Sequence, residues 1–434
     1  MKKLILKLLQ NYLAIWARLY LSKTKPIVIW ITWSVWKTSC RVIIHQVFKK
    51  FLIGKKVYSS PKNFNSEIWL PFSIFWIENY KPWIFSLLKI SILISFKALF
   101  SRPDYDVIVL EYWLDYAYMD LLLKSAKPDI AIFTKLDSIH LEFFNSVEEI
   151  WFEKFKLIHA AKRKAYLNYK DDFARSQFDQ IKVSKSYYCW NDIEANAYDL
   201  IKENNNILAK FKAWNKTIKT NLLWEENAEY IALAFNILDN IWEENNKQKK
   251  EIYLDLELQA WRFSIFPWIK NSILVDSSYN AGPTSMKKMI ENTFALREKL
   301  FPENKIALVL WEMRELWKET EKSHKDLVNC LDWVSVLLTI WKDMKDYFIP
   351  EVEKSKKDFF FESFISSREA WTSLKNILEK GSKNYIILFK WSQNTIFIEE
   401  ALKEVLVNKN DVEHLVRQND FWIEKKENFF NSIK

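Results

Sequence analysis

Glycine is nearly absent from this 434-residue chain: there are three, where a globular protein of this length carries about thirty. So little glycine leaves few residues for tight turns, helix stops and close backbone contacts with ligands, which depend on its freedom at positive φ. Cysteine is scarce too. Cys40, Cys189 and Cys330 are far apart and odd in number, which excludes a disulfide framework and a cysteine-based metal cluster. A reducing, cytoplasmic setting is expected. Long apolar runs are missing as well: Trp83 to Phe100 is broken by Lys89 and Lys97, and residues 4–17 by Lys7, so neither qualifies as a transmembrane helix. The N-terminus has no small-residue cleavage site of a signal peptide. Finally, there is no clustered basic stripe. The net charge is +9, but the lysines are scattered among Glu and Asp. They read as solvated surface rather than a nucleic-acid interface. Weak contact with an anionic membrane surface stays open, since both apolar segments are amphipathic, although helices packed on the protein's own core are the favoured reading.

Against these absences stand 22 tryptophans, and their placement is informative. The stretch Ile29-Trp30-Ile31-Thr32-Trp33-Ser34-Val35-Trp36-Lys37-Thr38-Ser39 becomes a phosphate-binding loop, G-I-T-G-S-V-G-K-T-S, once each Trp is read as Gly. Such a loop closes backbone amides on phosphate oxygens at the positive end of a helix dipole, and indoles at 33 and 36 would occupy the phosphate's place. Taken literally, the loop cannot bind phosphate. We read these tryptophans as UGA codons that specify glycine in the source organism, and keep the literal reading as its rival.

Residues 1–24 read as an amphipathic helix stopped at Lys25-Pro26. Ile27-Val28-Ile29 is a short apolar strand running into the loop, and Thr38 to Phe51 is the helix after it. Asp106 to Leu110 and Asp129 to Phe133 are further buried strands, ending at Glu111 and Thr134. The alternation predicts an α/β fold: a central doubly wound, mostly parallel sheet over residues 25–255, then a second, Rossmann-like domain over 256–434. Strands of that second domain are expected at Ile273–Val275, Ile306–Leu310, Val334–Val336 and Tyr385–Phe389. The polar stretch 243–251 reads as a surface loop.

Three groups of residues carry chemistry. In the loop, Lys37 reaches terminal phosphates and the Thr38 hydroxyl suits Mg²⁺. Glu111 and His140 lie just past buried strands, as a divalent metal beside nucleotide phosphates would require, although a lone histidine is more often a structural hydrogen-bonder. Lys154, on the following helix, reads by itself as a solvated charge. The run Asp276 to Met286 is a strand end, a turn and a helix start, which suits either a ligand loop or a capped turn.

With Trp read as Gly, these segments resemble the Mur ligase family of ATP-dependent amide-bond ligases. Its G-[IV]-T-G-[ST]-x-G-K-[ST] loop falls on Trp30–Thr38, N-x-N-x-x-G-[VL]-P on Asn63–Pro71, and V-x-E-x-G on Val109–Trp113. The segment ending in H-L-E falls on Thr134–Glu142, G-x-x-N on Trp224–Asn227, and G-R on Trp261-Arg262. D-D-S-Y-N-A-N-P resembles Asp276–Pro283, G-[DE]-M-x-E-L-G matches Trp311–Trp317, and K-G-S matches Lys390-Trp391-Ser392. Ten tryptophans thus stand at family glycine positions. Departures are Lys135, Ser277, Gly282 and Gln393.

The resemblance covers Pro26 to about residue 400, without the family's N-terminal substrate domain. It implies ATP and Mg²⁺ as cofactors. The loop Thr32, Trp33, Ser34, Val35, Trp36, Lys37, Thr38 and Ser39 would bind ATP together with Asn227, Arg262 and Asp276. Thr38, Glu111, His140 and a modified Lys154 would hold metal, and Lys37, Glu111, His140 and Lys154 would serve catalysis. Asn63, Asn65, Tyr279, Asn280, His324 and Lys390 would line the substrates. The branch it most resembles adds D-Ala-D-Ala to a UDP-MurNAc-tripeptide through an acyl phosphate, in cytoplasmic peptidoglycan synthesis. A monomer acting on small molecules, without nucleic acid, is therefore expected. The rival readings are a related ligase with a different or lipid-linked carboxylate donor, and a catalytically dead binding protein if the tryptophans are real.

Overall fold

The structure is a computed structural model. It describes residues 2–32, 36–60, 69–77, 84–112, 119–135, 147–189, 193–204, 206–213, 216–242, 251–258, 264–267, 272–277, 281–314, 316–380, 384–390, 412 and 420–432. The chain forms two compact units, residues 1–136 with 143–257 and residues 137–142 with 258–434.

The first unit is built on a six-stranded sheet in the order β2-β3-β1-β4-β5-β6: β1 (Ile27–Thr32), β2 (Val57–Ser59), β3 (Val107–Glu111), β4 (Ile130–Phe133), β5 (Lys164–Asn168) and β6 (Ser184–Tyr188). All five pairings are parallel. The central strands are continuous aliphatic runs because helices cover both faces. β1 sits between β3 and β4, so the strand order reverses direction at its end. In such sheets the ligand crevice opens there. The helices are α1 (Lys2–Ser22), α2 (Lys37–Phe51), α3 (Trp69–Ile74), α4 (Ile84–Phe100), α5 (Met119–Ser125), α6 (Val147–His159), α7 (Asp172–Gln177) and α8 (Glu225–Trp242). Leu13, Ala14, Ala17 and Leu21 of α1 are buried in this unit.

A second sheet, absent from the sequence reading, follows β6. It contains β7 (Ala195–Glu203), β8 (Asn206–Ala213), β9 (Lys216–Thr220) and β10 (Glu251–Leu254), in the order β10-β9-β8-β7. β7 and β8 form a hairpin with Glu203 opposite Asn206, and Asn204 takes the left-handed conformation the tight turn demands (φ 48°). Glu251, assigned to a loop from sequence, opens β10, and residues 243–250 lie outside the described residues.

The second unit carries β11 (Ser264–Pro267), β12 (Ile273–Ser277), β13 (Lys305–Trp311), β14 (Val334–Ile340), β15 (Phe360–Phe364) and β16 (Tyr385–Lys390), in the order β11-β12-β16-β13-β14-β15. Only the β11–β12 pairing at the edge is antiparallel. Helices α9 (Pro283–Leu300), α10 (Thr320–Lys325), α11 (Ile349–Ser355), α12 (Ser367–Lys380) and α13 (Asp420–Ser432) accompany this sheet in sequence. Ala370, Leu374 and Leu378 of α12 pack with Val336, Leu338 and Ile387 in its core.

Backbone conformation bears directly on the tryptophans. Among the described residues nine non-glycine positions have positive φ, and four of them are tryptophans: Trp36 (61°), Trp76 (61°), Trp317 (47°) and Trp341 (88°). A bulky side chain at positive φ is a genuine outlier. Trp76 shows why the chain turns this way. The Trp76 N–H donates to the Ser73 carbonyl (3.1 Å) and the Ile77 N–H to the Phe72 carbonyl (2.9 Å), closing α3 with paired bonds of the Schellman type. Trp76 thus occupies the left-handed residue of that motif, the position usually filled by glycine. Trp76→Gly is therefore expected to exceed Trp76→Ala in unfolding free energy by about 1 kcal/mol. Chemical denaturation of both variants checks this, and equal stabilities would contradict it.

Candidate functional site

The loop after β1 leads directly into α2. Trp36 is the residue before the helix, with φ 61° and ψ 8° and no side-chain cap. The first amide N–H groups of any helix have no partner within it, so the start of α2 presents donors and the positive end of its dipole to the crevice above β1. Lys37, Thr38 and Ser39, the first three helical residues, are all buried.

Opposite them, β3 ends at Glu111, which lies beside Ile31 in the sheet register. Thr38 Oγ1 donates to Glu111 Oε1 at 2.7 Å. Arg41, one turn further along α2, donates through Nε to Glu111 Oε2 at 3.2 Å. Both side chains of that ion pair are about 4% exposed. Arg41 Nη1 also donates to Ser59 Oγ at 2.7 Å and to the Ser60 carbonyl, which ties the end of β2 into the same cluster. One carboxylate is thus held by a hydroxyl and a guanidinium from a single helix face. Breaking such a buried pair by removing one partner costs about 3–5 kcal/mol. Arg41 was missed in the sequence reading. The available signal was its spacing of three residues from Thr38, which puts both on one side of the helix.

On the other side of β1, Thr134 follows β4. Its N–H and hydroxyl both donate to the Thr32 carbonyl (3.2 and 3.3 Å), while Tyr188 donates to the Phe133 carbonyl at 3.0 Å. Thr32 is completely buried, and its hydroxyl has no hydrogen-bond partner among the described residues. Trp30 is 1% exposed and stacks over Tyr112 with rings 8° apart; its indole N–H is likewise without a partner among them. Burying an unpaired donor costs about 1–3 kcal/mol, and glycine at this position has no such group.

Lys154 is buried on α6, next to Glu153, whose Oε1 accepts the Met119 N–H at 2.9 Å. Asn227 is buried near the start of α8. Among the described residues no group of three or more His, Cys, Asp or Glu side chains could hold a metal. Oxygen ligands are present nonetheless: the Thr38 hydroxyl and Glu111 carboxylate are the hard donors that Mg²⁺ prefers. Cys40, beside Thr38, is free and fully buried, and burial, reinforced by Glu111, pushes its thiol pKa well up.

In the second unit, Asp276 and Lys390 lie at the ends of adjacent parallel strands. Ser277 pairs with Lys390 in register, and the Lys390 ammonium donates to the Ser277 carbonyl at 3.3 Å. Both Asp276 and Lys390 are buried. His324 is also fully buried. Its Nε2 accepts the Met313 N–H at 2.9 Å and its Nδ1 faces the Thr320 carbonyl at 2.7 Å. These contacts define a neutral ring with the proton on Nδ1, and burial lowers its pKa in the same sense. Both ring nitrogens are thus engaged with backbone. Trp33, Ser34, Val35, Asn63, Asn65, His140, Arg262, Tyr279 and Asn280 lie outside the described residues.

One pH effect follows from the Arg41 cluster. His45 is one turn beyond Arg41 on α2; burial, assisted by the Arg41 charge, pushes its imidazole pKa from 6.5 down to about 4. The fold therefore favours the neutral ring, and His45 contributes stability above pH 6.5 that is lost as pH falls toward 4. The contribution is at most about 3 kcal/mol. Unfolding free energies measured through this window should fall more steeply for the parent chain than for His45→Gln. Parallel curves would refute the assignment.

Residues 89–238 match the family model described as the Mur ligase middle domain. The chain is 25% identical over 395 residues to the UDP-N-acetylmuramoyl-tripeptide–D-alanyl-D-alanine ligase of Bacillus subtilis, covering 90% of this chain and 78% of that protein. It is 25% identical over 335 residues to the ligase of the same name from Borreliella burgdorferi, covering 75% of this chain and 63% of that one. Among solved structures, MurF ligase from Thermotoga maritima in complex with ADP superposes with a TM-score of 0.69 at 23% identity, over 93% of this chain and 84% of that one. MurF from Acinetobacter baumannii gives 0.68 at 17% identity, over 90% and 79%. Residues 89–238 thus match the Mur ligase middle domain, and the chain shares the fold of the MurF ligase structures.

Proposed function

We propose that the chain is an ATP-dependent carboxylate–amine ligase that joins D-Ala-D-Ala to a UDP-MurNAc-tripeptide. The observation that carries the reading is the Thr38–Glu111–Arg41 cluster at the switch point of a parallel sheet, at the start of the helix that follows the loop. The names of the two curated relatives supply the substrates. The nucleotide of the Thermotoga structure supports use of ATP.

In this reading the amides at the start of α2 and the Lys37 ammonium receive the terminal phosphates, and Thr38 and Glu111 hold Mg²⁺. His140 and Lys154 complete the metal set, Asn227 contacts the adenine, and Arg262 and Asp276 contact the ribose and phosphates. Asn63, Asn65, Tyr279, Asn280 and Lys390 belong to the substrates, whereas His324, expected from sequence to join them, is buried with both ring nitrogens on backbone and acts by holding the Met313 segment in place. The metal supplies charge neutralisation on the transferring phosphoryl group. The donor carboxylate takes the γ-phosphoryl of ATP, releasing ADP. The dipeptide amine then displaces inorganic phosphate and forms the amide. The protein's share of this work is positioning: Arg41 fixes Glu111, and Glu111 fixes the Thr38 hydroxyl.

The loop can do this only with glycine at 30, 33 and 36. The left-handed backbone of Trp36 and the indole N–H of Trp30, which has no partner among the described residues, support that assignment, and we propose that the working protein carries glycine at both and at 33. A chain made with Trp30→Gly, Trp33→Gly and Trp36→Gly, and glycine at the other seven family positions, should produce ADP over many turnovers only when UDP-MurNAc-tripeptide and D-Ala-D-Ala are both present. The unaltered chain should not turn over. ADP release with another carboxylate donor would reassign the substrate. Absence of nucleotide binding in the glycine chain would overturn the reading.

A further inference from the structure

We propose that α1 and α4 together form a docking surface for an anionic lipid bilayer. Leu8, Tyr12, Ile15 and Leu19 recur on α1 at i, i+4, i+7 and i+11, which is one stripe of a helix. All four are exposed, Leu8 and Ile15 by 63% and 66%. Their opposite face, with Leu13, Ala14 and Ala17, is buried. α4 repeats the arrangement: Ile92 and Phe96 are exposed by 69% and 59%, the Phe100 ring lies tilted against Phe96 with centroids 4.6 Å apart, and Ile94 and Ala98 are buried.

The two stripes adjoin. The Tyr12 and Ser95 hydroxyls are hydrogen-bonded at 2.7 Å, and the Lys23 ammonium donates to the Leu99 and Ser101 carbonyls, each at 2.8 Å. Neither helix uses this apolar face for its own packing, and an exposed apolar patch flanked by charge marks an interaction site. Neither helix, moreover, is long and apolar enough to cross a membrane.

Charge selects the occupant. Residues 1–66 and 79–103 contain no Asp or Glu at all. Lys7, Arg18 and Lys89, on the same two helices, are exposed. The acidic residues that follow α4, Asp104 and Asp106, are engaged by Lys56 and Lys55. An apolar stripe on two helices whose own charged residues are all cationic suits a surface that offers acyl chains beneath anionic headgroups. A protein partner would have to supply both an apolar groove and a ring of carboxylates. This inference does not depend on the ligase reading.

Co-sedimentation of the full chain with vesicles tests it. Binding is expected to phosphatidylcholine vesicles containing phosphatidylglycerol, weaker with phosphatidylcholine alone, and falling as salt is raised. The double variant Ile15→Glu with Phe96→Glu should bind the anionic vesicles at least about tenfold more weakly, as like charge and lost apolar contact combine. Both positions are exposed, so its thermal unfolding should match that of the parent chain. Equal binding by parent and variant would overturn the proposal, as would no binding by either. So would loss of concentration-dependent self-association in the variant without lipid binding by the parent, which would make a second copy the occupant.

Discussion

One carboxylate organises the first unit. Glu111 lies at the end of β3, where sheet geometry brings it beside β1, and it takes a hydroxyl from Thr38 and a guanidinium from Arg41. The pairing orients α2 over the crevice and, through Ser59 and Ser60, fixes the end of β2. A buried carboxylate without partners would shed its charge or unfold its surroundings. Thr38 and Arg41 are those partners, and they hold the carboxylate next to a helix start. In the proposed reading the helix start would take an anion and the carboxylate a cation side by side, which is the electrostatic requirement of a metal–nucleotide site.

The tryptophans are the second constraint. Left-handed backbone at Trp36, Trp76, Trp317 and Trp341 places four indoles where the chain turns most sharply. Each conformation has a local cause: a loop entering a helix, a helix stop, a loop following β13, and the end of β14. These causes do not depend on the side chain present. A chain with three glycines still folds its backbone through conformations that glycine adopts without cost, and tryptophan stands in them. The same substitution explains why the loop reads as a phosphate cradle only after its indoles are removed.

Much of the α/β core was legible in sequence because buried parallel strands are short unbroken aliphatic runs. Ile27–Thr32, Val107–Glu111, Ile130–Phe133 and Lys305–Trp311 all carry that signature. The sheet from β7 to β10 was not legible. Its strands mix exposed and buried positions, with lysines and asparagines interrupting the apolar pattern. The edge strand β11, only four residues long, gives no periodicity to read. At the site, Thr38 and Glu111 were found through motif spacing, whereas Arg41 emerged only from geometry, since its role depends on a carboxylate 70 residues away. His324 could be located but not interpreted, because its two backbone partners come from a loop and a helix turn that sequence spacing does not reveal.

The central claim is that this backbone works with glycine in its loop. Tandem mass spectrometry of the native peptide spanning residues 24–37, taken from the source organism, tests it most directly. The account predicts glycine at positions 30, 33 and 36. Tryptophan at those positions would leave no phosphate cradle, and the ligase reading would fall with it.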